Sequence, residues 1–294
     1  MKNTIFTGVG TALITPLNEA GIDYVALEKL IHWQIDQGVD ALIICGTTGE
    51  GPTLSDEEHK QVLEFCIKVA GGRTKMIAGT GSNDTAYAIA LSKHACQIGY
   101  DGLLVISPYY NKATQKGLIA HFTAIADAVD KPIILYNVPS RTGVSIEPAT
   151  YLALADHPNI CAIKEANGNI SKIVETFALV GDKLDIYSGN DDQIVPIIAC
   201  GGKGVISVLS NPLPAETVRM CHLALQGDIP GAMALQKKYL HLTNTLFCEV
   251  NPIPVKAAMA MLGWCEDRLR LPLTPLEEDH RKQLEKALKD AGCL

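Results

Sequence analysis

The sequence predicts an α/β fold in which eight parallel strands close into a (β/α)8 TIM barrel, with a C-terminal helical appendage. Short apolar runs alternate with amphipathic helical patterns over the first 225 residues, as they do in chains built from βα units. The 294 residues are 47% hydrophobic, so the chain can bury a core of barrel size. A doubly wound open sheet is the alternative that the same alternation allows.

Eight apolar runs supply the predicted strands. They cover residues 9–14, 41–45, 76–78, 102–106, 133–136, 160–164, 184–187 and 204–208. Between them, apolar residues recur three and four positions apart and therefore share one helix face. Ser55 and Glu58 form a capping-box signature at the start of the second helix. Gly38, Gly71 and Gly99 mark the ends of three helices.

The C-terminal part of the chain has no strand pattern. Helical segments are predicted at residues 229–247, 255–262 and 276–291, and prolines break the sequence between them. We therefore expect two parts, a barrel with the active site over residues 1–225 and a helical segment over residues 226–294. Lys256, near the start of one predicted helix, is expected to serve packing or to lie at the surface.

Composition argues against several classes of function. The net charge of −7 and the absence of a basic patch disfavour nucleic acid or an anionic membrane as a partner. A signal-peptide pattern and an apolar span of about 18 residues are both absent, so we expect a cytoplasmic location. The nine cysteines are scattered and are expected to be reduced. Neither they nor the eight histidines have metal-binding spacing, and we expect no metal or other cofactor.

Lys164 directly follows four small or apolar residues at the end of the sixth run, where a solvated charge would be costly. Burial disfavours the ammonium form and lowers the pKa of a lysine, which makes the amine nucleophilic near neutral pH. Such an amine can form a Schiff base with a carbonyl substrate. The alternative is a lysine whose head reaches solvent and pairs with Glu165 or another carboxylate.

Other polar residues also follow predicted strands, where the chemistry of such barrels is located. They lie in the segments 46–51, 107–111, 136–143 and 188–191. Each has a simpler interpretation, since a Gly-Thr-Thr-Gly segment can be a tight turn, Tyr136 a core residue and Arg141 a surface ion pair. Because strand ends meet at one mouth, the sequence predicts that these side chains form a site together with Lys164.

Five motifs occur in order along nearly the whole chain. They are Gly46-Thr47-Thr48-Gly49-Glu50, Ser107-Pro108-Tyr109-Tyr110-Asn111, Tyr136-Asn137-Val138-Pro139-Ser140-Arg141-Thr142-Gly143, Lys164-Glu165-Ala166 and Asn251-Pro252-Ile253-Pro254-Val255-Lys256. Together they resemble the dihydrodipicolinate synthase family, within the superfamily of pyruvate-dependent class I aldolases that includes N-acetylneuraminate lyase. The Thr47-Thr48 pair, the Tyr109-Tyr110 pair and Arg141 narrow the resemblance from the superfamily to this family.

The resemblance implies a lyase that condenses pyruvate with L-aspartate 4-semialdehyde to form 4-hydroxy-tetrahydrodipicolinate, in lysine and diaminopimelate biosynthesis. Lys164 would form the Schiff base with pyruvate, and the resulting enamine carbon would attack the aldehyde. Tyr136, Thr47 and Tyr110 would relay protons, with Tyr110 supplied by a neighbouring subunit. The implied assembly is a homotetramer built as a dimer of dimers.

The resemblance also implies the substrate-binding residues. Thr48, together with Thr47, would receive the pyruvate carboxylate, and the backbone of Gly189 and Ile206 would line the pocket. Arg141 would bind the carboxylate of the second substrate through a bidentate pair. The expected partners are therefore these two small molecules, with no nucleic acid and no membrane.

Two other functions stay open. One is a sibling aldolase or lyase that applies the same Lys164 chemistry to a sugar acid such as N-acetylneuraminate or to a keto-deoxy acid. The Thr47-Thr48 pair and Arg141 argue against it, since they belong to the narrower family pattern. The other is a non-catalytic barrel that binds a ligand, for which a proton relay would serve no purpose.

Family members that L-lysine inhibits bind it at a dimer interface, and this sequence departs from their pattern. It has Gly51 and Pro52 in place of Ser-Ala, Asp56 in place of a histidine, and Tyr87 in place of the glutamate that pairs with a ligand ammonium. It keeps His59, Asn83 and Tyr109. We therefore expect weak or absent inhibition by L-lysine.

Overall fold

The computed structural model describes residue 2 and residues 4–294. Within them, eight parallel strands form a closed barrel, because the first strand pairs with the last strand of the barrel as well as with the second. The predicted (β/α)8 barrel is therefore confirmed, and the open-sheet alternative is wrong.

The element order alternates strands and helices around the barrel and ends in helices. The strands are β1 (Gly8–Ala12), β2 (Leu17–Asn18), β3 (Gly21–Ile22), β4 (Ala41–Ile44), β5 (Lys75–Gly79), β6 (Gly102–Ile106), β7 (Ile133–Asn137), β8 (Ile160–Glu165), β9 (Asp185–Ser188) and β10 (Gly204–Ser207). The α-helices are α1 (Tyr24–Asp36), α2 (Asp56–Ala70), α3 (Thr85–Gln97), α4 (Gln115–Asp127), α5 (Pro139–Thr142), α6 (Pro148–Leu154), α7 (Ile170–Val180), α8 (Ile194–Ala199), α9 (Pro214–Leu225), α10 (Ile229–Thr245), α11 (Ile253–Met261) and α12 (Glu278–Ala291). Strands β2 and β3 form a separate antiparallel hairpin, which the sequence analysis does not predict.

The first strand ends two residues before the predicted boundary because a side chain takes over its hydrogen bonds. The backbone N–H of Ile14 donates to Asn211 Oδ1 at 3.1 Å, and Asn211 Nδ2 donates to the carbonyl of Ala12 at 2.8 Å. The chain therefore leaves the strand ladder after Ala12 without exposing unpaired polar groups.

Aromatic residues close the N-terminal end of the barrel. The rings of Phe6 and Tyr187 stack with centroids 4.4 Å apart, and the Tyr187 hydroxyl donates to the Phe6 carbonyl at 2.5 Å. Both rings belong to the apolar cluster that fills the barrel interior. Access to the interior is therefore from the C-terminal ends of the strands, where the sequence places its candidate residues.

The predicted helix ends are confirmed. Ser55 and Glu58 form a capping box at the start of α2, with each side chain accepting from the other residue's backbone N–H. Gly38, Gly71 and Gly99 follow α1, α2 and α3 with φ values of 83°, 57° and 98°. These are left-handed conformations that glycine adopts without steric cost.

Helix α10 packs on α8 and α9, and α12 packs on α10 and α11. All three helices begin within two residues of their predicted starts. One apolar cluster contains residues of both parts of the chain, including Val9 and Val205 from the strands and Tyr239 and Leu284 from the helices. Lys256 on α11 is fully buried, so of the two expected places the packed interior is correct and the surface is wrong. The division of the chain after residue 225 stays a prediction.

All nine cysteines are free thiols. None of the helices in the described part of the chain is long and apolar enough to cross a bilayer. Residue 2 and residues 4–294 also contain no group of three or more His, Cys, Asp or Glu side chains placed to hold a metal ion.

Candidate active site

Lys164 projects into the barrel near the C-terminal end of β8. It is in register with Tyr136 on β7 and Tyr187 on β9, so the three side chains share the inner face of the barrel. Lys164 is 6% exposed, and its Nζ lies 4.2 Å from the centroid of the Tyr136 ring. The alternative in which its head reaches solvent is therefore wrong.

Burial lowers the pKa of Lys164 to about 7, because the ammonium loses its hydration inside the barrel. The negative charge of Asp191 opposes this shift, and the positive charge of Arg141 adds to it. Asp191 is itself buried, and its Oδ2 accepts from the backbone N–H groups of Val208 and Leu209 at 2.9 and 3.0 Å. At neutral pH a large fraction of Lys164 is therefore the free amine, which is the nucleophilic form.

Tyr136 lies beside Lys164 as a buried phenol. Burial raises the pKa of Tyr136, while the charge of Arg141 and the side chain of Thr47 act in the opposite direction. The phenol is consequently neutral at physiological pH, so it can both donate and accept a hydrogen bond. Thr47, on the loop after β4, lies close enough to this phenol to act on its pKa.

The loop after β4 carries Thr47 and Thr48 and is closed by a bond from the Gly51 N–H to the Gly46 carbonyl at 3.2 Å. A Cβ at position 51 would lie 2.4 Å from the carbonyl oxygen of Cys45, so only glycine permits this approach. Thr48 is buried, and its Oγ1 accepts from Asn251 Nδ2 at 3.0 Å. The loop is thereby held against the segment that precedes α11.

A cavity of about 170 Å³ unites these side chains. Its lining includes Thr47, Thr48, Tyr136, Arg141, Lys164, Gly189, Asn190, Val208, Phe247 and Asn251. A Cβ at Gly189 would lie 2.7 Å from the Cβ of Ala166, so glycine keeps this wall open. Ile206 is buried in the barrel interior, whereas Val208 lines the cavity. The structure thus brings seven of the eight predicted site residues to one cavity or to the interior beneath it.

Tyr110 is the exception. Its side chain is 88% exposed and lies outside the cavity of its own chain. Its backbone is left-handed, with φ of 74°, and its N–H donates to the Thr142 carbonyl at 3.2 Å. The role of Tyr110 across a subunit interface stays a prediction.

Comparison with known proteins identifies the family. The model of the dihydrodipicolinate synthetase family matches residues 5–291. This chain belongs to that family. It is 52% identical over 292 residues, 99% of each chain, to 4-hydroxy-tetrahydrodipicolinate synthase of Clostridium tetani. The structure is similar to that of dihydrodipicolinate synthase from Acinetobacter baumannii complexed with pyruvate, with 45% identity, a TM-score of 0.97, and coverage of 99% of this chain and 100% of the other. It is also similar to dihydrodipicolinate synthase from Aquifex aeolicus, with 47% identity, a TM-score of 0.96, and coverage of 98% and 99%.

Glu165, considered above only as an ion-pair partner of Lys164, belongs instead to a network behind the strand. Glu165 points away from the barrel interior and accepts from Asn137 Nδ2 at 3.0 and 3.2 Å, the Tyr151 hydroxyl at 3.1 Å and the Asn167 N–H at 3.0 Å. Burial raises its pKa to about 7, although these hydrogen bonds oppose the rise. Three residues, through four hydrogen bonds, fix the strand end that carries Lys164. A charged residue inside an otherwise apolar run is the signal that could have predicted this network.

A second cavity, of about 390 Å³, adjoins the first and shares Thr47, Tyr136 and Arg141 with it. Tyr87 and His59 also line it. These two residues belong to the segment that the sequence analysis compares with the L-lysine site of inhibited family members.

The pKa of Lys164 gives a testable prediction about the resting protein. Competitive acetylation with acetic anhydride, followed at Lys164 by mass spectrometry, should have a midpoint near pH 7, because only the neutral amine reacts. Asp191→Asn should move this midpoint to lower pH, since the charge that favours the ammonium is removed. The exposed neighbour Asp192 supplies the matched control, and Asp192→Asn should leave the midpoint unchanged. A midpoint close to that of an exposed lysine would contradict the assignment.

Proposed function

We propose that this chain condenses pyruvate with L-aspartate 4-semialdehyde to form 4-hydroxy-tetrahydrodipicolinate, in lysine and diaminopimelate biosynthesis. The observation that carries the proposal is a buried Lys164, with its pKa lowered to about 7, beside the neutral phenol of Tyr136. The name of the Clostridium tetani relative supports the choice of reaction. Free cysteines favour a reducing compartment, and we place the enzyme in the cytoplasm.

The chemistry begins with the free amine of Lys164. It attacks the keto carbon of pyruvate, and the adduct loses water to give an iminium. The iminium nitrogen draws electrons from a methyl C–H bond, whose proton leaves, and an enamine forms. The enamine carbon bonds to the aldehyde carbon of the second substrate, and the aldehyde oxygen takes up a proton. The amine of the second substrate then adds to the iminium carbon and displaces Lys164 as the ring closes.

Each of these steps moves a proton, and Tyr136 is placed to carry it. Its neutral phenol lies beside the Lys164 amine and faces Thr47, so a hydrogen-bonded chain can pass protons without forming a permanent charge. Tyr110 of a neighbouring subunit would extend this chain to solvent. The relay would then be complete only in an assembled enzyme.

The two substrate carboxylates require donors at different places. The hydroxyls of Thr47 and Thr48, together with backbone N–H groups of their loop, suit the pyruvate carboxylate at the inner end of the cavity. Arg141 lines the cavity from the short helix α5 and is exposed, so it suits the carboxylate of the later-binding aldehyde. Gly189 contributes by leaving space beside Ala166.

The proposal predicts both the substrate and the nucleophile. Purified protein with pyruvate should consume L-aspartate 4-semialdehyde and should not cleave N-acetylneuraminate. Lys164→Arg should lower turnover by roughly a thousandfold or more, because a guanidinium forms no imine under these conditions.

Lys183→Arg is the matched control for this experiment. Lys183 is an exposed lysine that pairs with Asp156 at 2.8 Å outside the cavity, so its variant should retain wild-type turnover. Cleavage of N-acetylneuraminate in preference to condensation would replace the proposed reaction with that of a sibling lyase. Full activity of Lys164→Arg would place the nucleophile elsewhere.

We propose a homotetramer built as a dimer of dimers. Within each tight dimer, each subunit contributes its Tyr110 to the active site of the other. The exposed position of this tyrosine, outside the cavity of its own chain, supports the proposal because the side chain is available to a partner. A two-fold dimer would exchange the residue reciprocally, so each partner would complete the other's site.

Complementation between two inactive variants tests this exchange. Tyr110→Phe should lower turnover by roughly 100-fold or more, as loss of a general acid–base group does. After subunit exchange with Lys164→Arg, half of the dimers are mixed, and each has one site with both residues intact. Activity should therefore return to about a quarter of wild type if the two-fold exchange is random. No recovery in verified mixed dimers would mean that Tyr110 does not act across the interface.

The lining of the second cavity bears on inhibition by L-lysine, because it includes Tyr87. Tyr87 occupies the position at which inhibited members carry a glutamate, and loss of such a charge-assisted contact costs about 1.5–3 kcal/mol. Asp56 could replace the missing charge, but its Oδ2 already pairs with Lys60 Nζ at 2.7 Å. That hydrogen bond to Lys60 is also the main reason why the pKa of Asp56 is lowered.

We therefore expect weak or absent inhibition by L-lysine. A titration of the condensation activity should find half-inhibition only above about a millimolar, as expected when a charge-assisted contact is missing. Tyr87→Glu should lower the concentration needed, because it restores a carboxylate, whereas Tyr87→Gln should not. Half-inhibition of the wild-type enzyme well below a millimolar would contradict the prediction.

A further inference from the structure

Lys256 and Glu50 form an ion pair with no access to solvent. Their side chains are both 0% exposed, and Lys256 Nζ lies 2.7 Å from Glu50 Oε1. At this distance, with water excluded, the attraction between the opposite charges holds the contact. The ammonium donates its hydrogen bonds to the carbonyls of Thr15 at 2.6 Å and Arg268 at 3.2 Å.

Stability alone gives no reason for this pair. Removing two charges from water costs more than their attraction commonly returns, and apolar residues of similar volume often stabilise a protein equally well or better. An ion pair differs from an apolar contact because it fixes where its two partners lie. The place of Glu50 in the fold therefore indicates which part of the structure the ion pair fixes.

Glu50 belongs to the loop that carries Thr47 and Thr48. Its backbone is left-handed, with φ of 55°, and its N–H donates to the Thr47 carbonyl at 3.1 Å. The backbone of Glu50 is thus bonded to that of Thr47, so fixing Glu50 constrains the loop that carries Thr47. The bond from Asn251 Nδ2 to Thr48 Oγ1, at 3.0 Å, ties the same loop to the segment before α11.

The surrounding contacts hold Lys256 at a junction of three segments. Thr15, whose carbonyl accepts from Lys256, donates through its hydroxyl to the Gly49 carbonyl at 2.7 Å. The other carboxylate oxygen of Glu50 accepts from the backbone N–H of Arg270 at 3.3 Å. The exit of β1, the loop after β4 and the segment around residue 270 therefore all meet at this buried charge.

We propose that Lys256 is a positioning residue for pyruvate, because its pair with Glu50 sets the loop on which Thr47 and Thr48 meet the substrate carboxylate. This role rests on the function proposed above. Lys256 acts through Glu50 and does not itself line the cavity that contains Lys164.

The expected signature of Lys256→Met is a change specific to pyruvate. Its KM for pyruvate should rise by about tenfold or more, since a small misplacement of binding groups has large kinetic effects. Its KM for L-aspartate 4-semialdehyde should change by less than about twofold, because Arg141 lies on a different loop. Glu50→Gln removes the charge but keeps the volume, and it should also raise the KM for pyruvate.

Two further variants distinguish a loss of protein stability from a loss of loop positioning. Met259 is fully buried on the same helix, so Met259→Ala should lower Tm while leaving the KM for pyruvate unchanged. The double variant Glu50→Gln/Lys256→Met has no unpaired buried charge, so its Tm should rise above that of Lys256→Met. Its KM for pyruvate should remain high, because the pair that sets the loop is absent.

The four variants are measured beside wild-type enzyme, with Tm and both KM values for each. An unchanged KM for pyruvate in both Lys256→Met and Glu50→Gln would overturn the inference, as would a double variant in which Tm and KM return together. If Lys256→Met does not fold, the KM for pyruvate of Glu50→Gln and of the double variant tests the inference in its place. Wild-type enzyme that lacks the condensation activity would instead overturn the proposed function.

Discussion

The loss of hydration around Lys164 is the constraint on which the site depends. Strand pairing on both sides of β8 places this side chain on the inner face of the barrel, the face that also carries Tyr136 and Tyr187. Burial then lowers its pKa to about 7 and makes the free amine available without any added base. Because the Phe6–Tyr187 stack closes the opposite end of the barrel, that amine can meet a substrate only at the C-terminal mouth.

The groups around this amine are held from several parts of the chain. Asn137 and Tyr151 bind Glu165 behind the strand end, while the backbone N–H groups after β10 hold Asp191 near the lysine charge. The C-terminal helices contribute as well, because the segment at α11 bonds to the loop after β4. The C-terminal appendage therefore helps to build the site, since it supplies fixed anchors for a loop that contains three glycines.

Much of this arrangement could be predicted from the sequence, because it depends on patterns among residues that are close together in the chain. Apolar runs predicted the strands, and polar residues directly after them, such as Lys164 and Tyr136, predicted the site. The buried position of Lys256 could not be predicted, since its partner lies in another part of the chain, and the nearby bond from Asn251 to Thr48 spans 203 residues. The early end of β1 depends in the same way on Asn211. The partner of Tyr110 lies beyond a single chain, so its role is still a prediction.

The central claim is that Lys164, activated by burial, forms the imine with pyruvate. Incubation with pyruvate and borohydride, followed by proteolysis and mass spectrometry, locates the reduced adduct on a peptide. The account predicts a gain equal to pyruvic acid less one oxygen atom, on the peptide that carries Lys164 and at that residue. Labelling of a different lysine, or no pyruvate-dependent label on active enzyme, would contradict it.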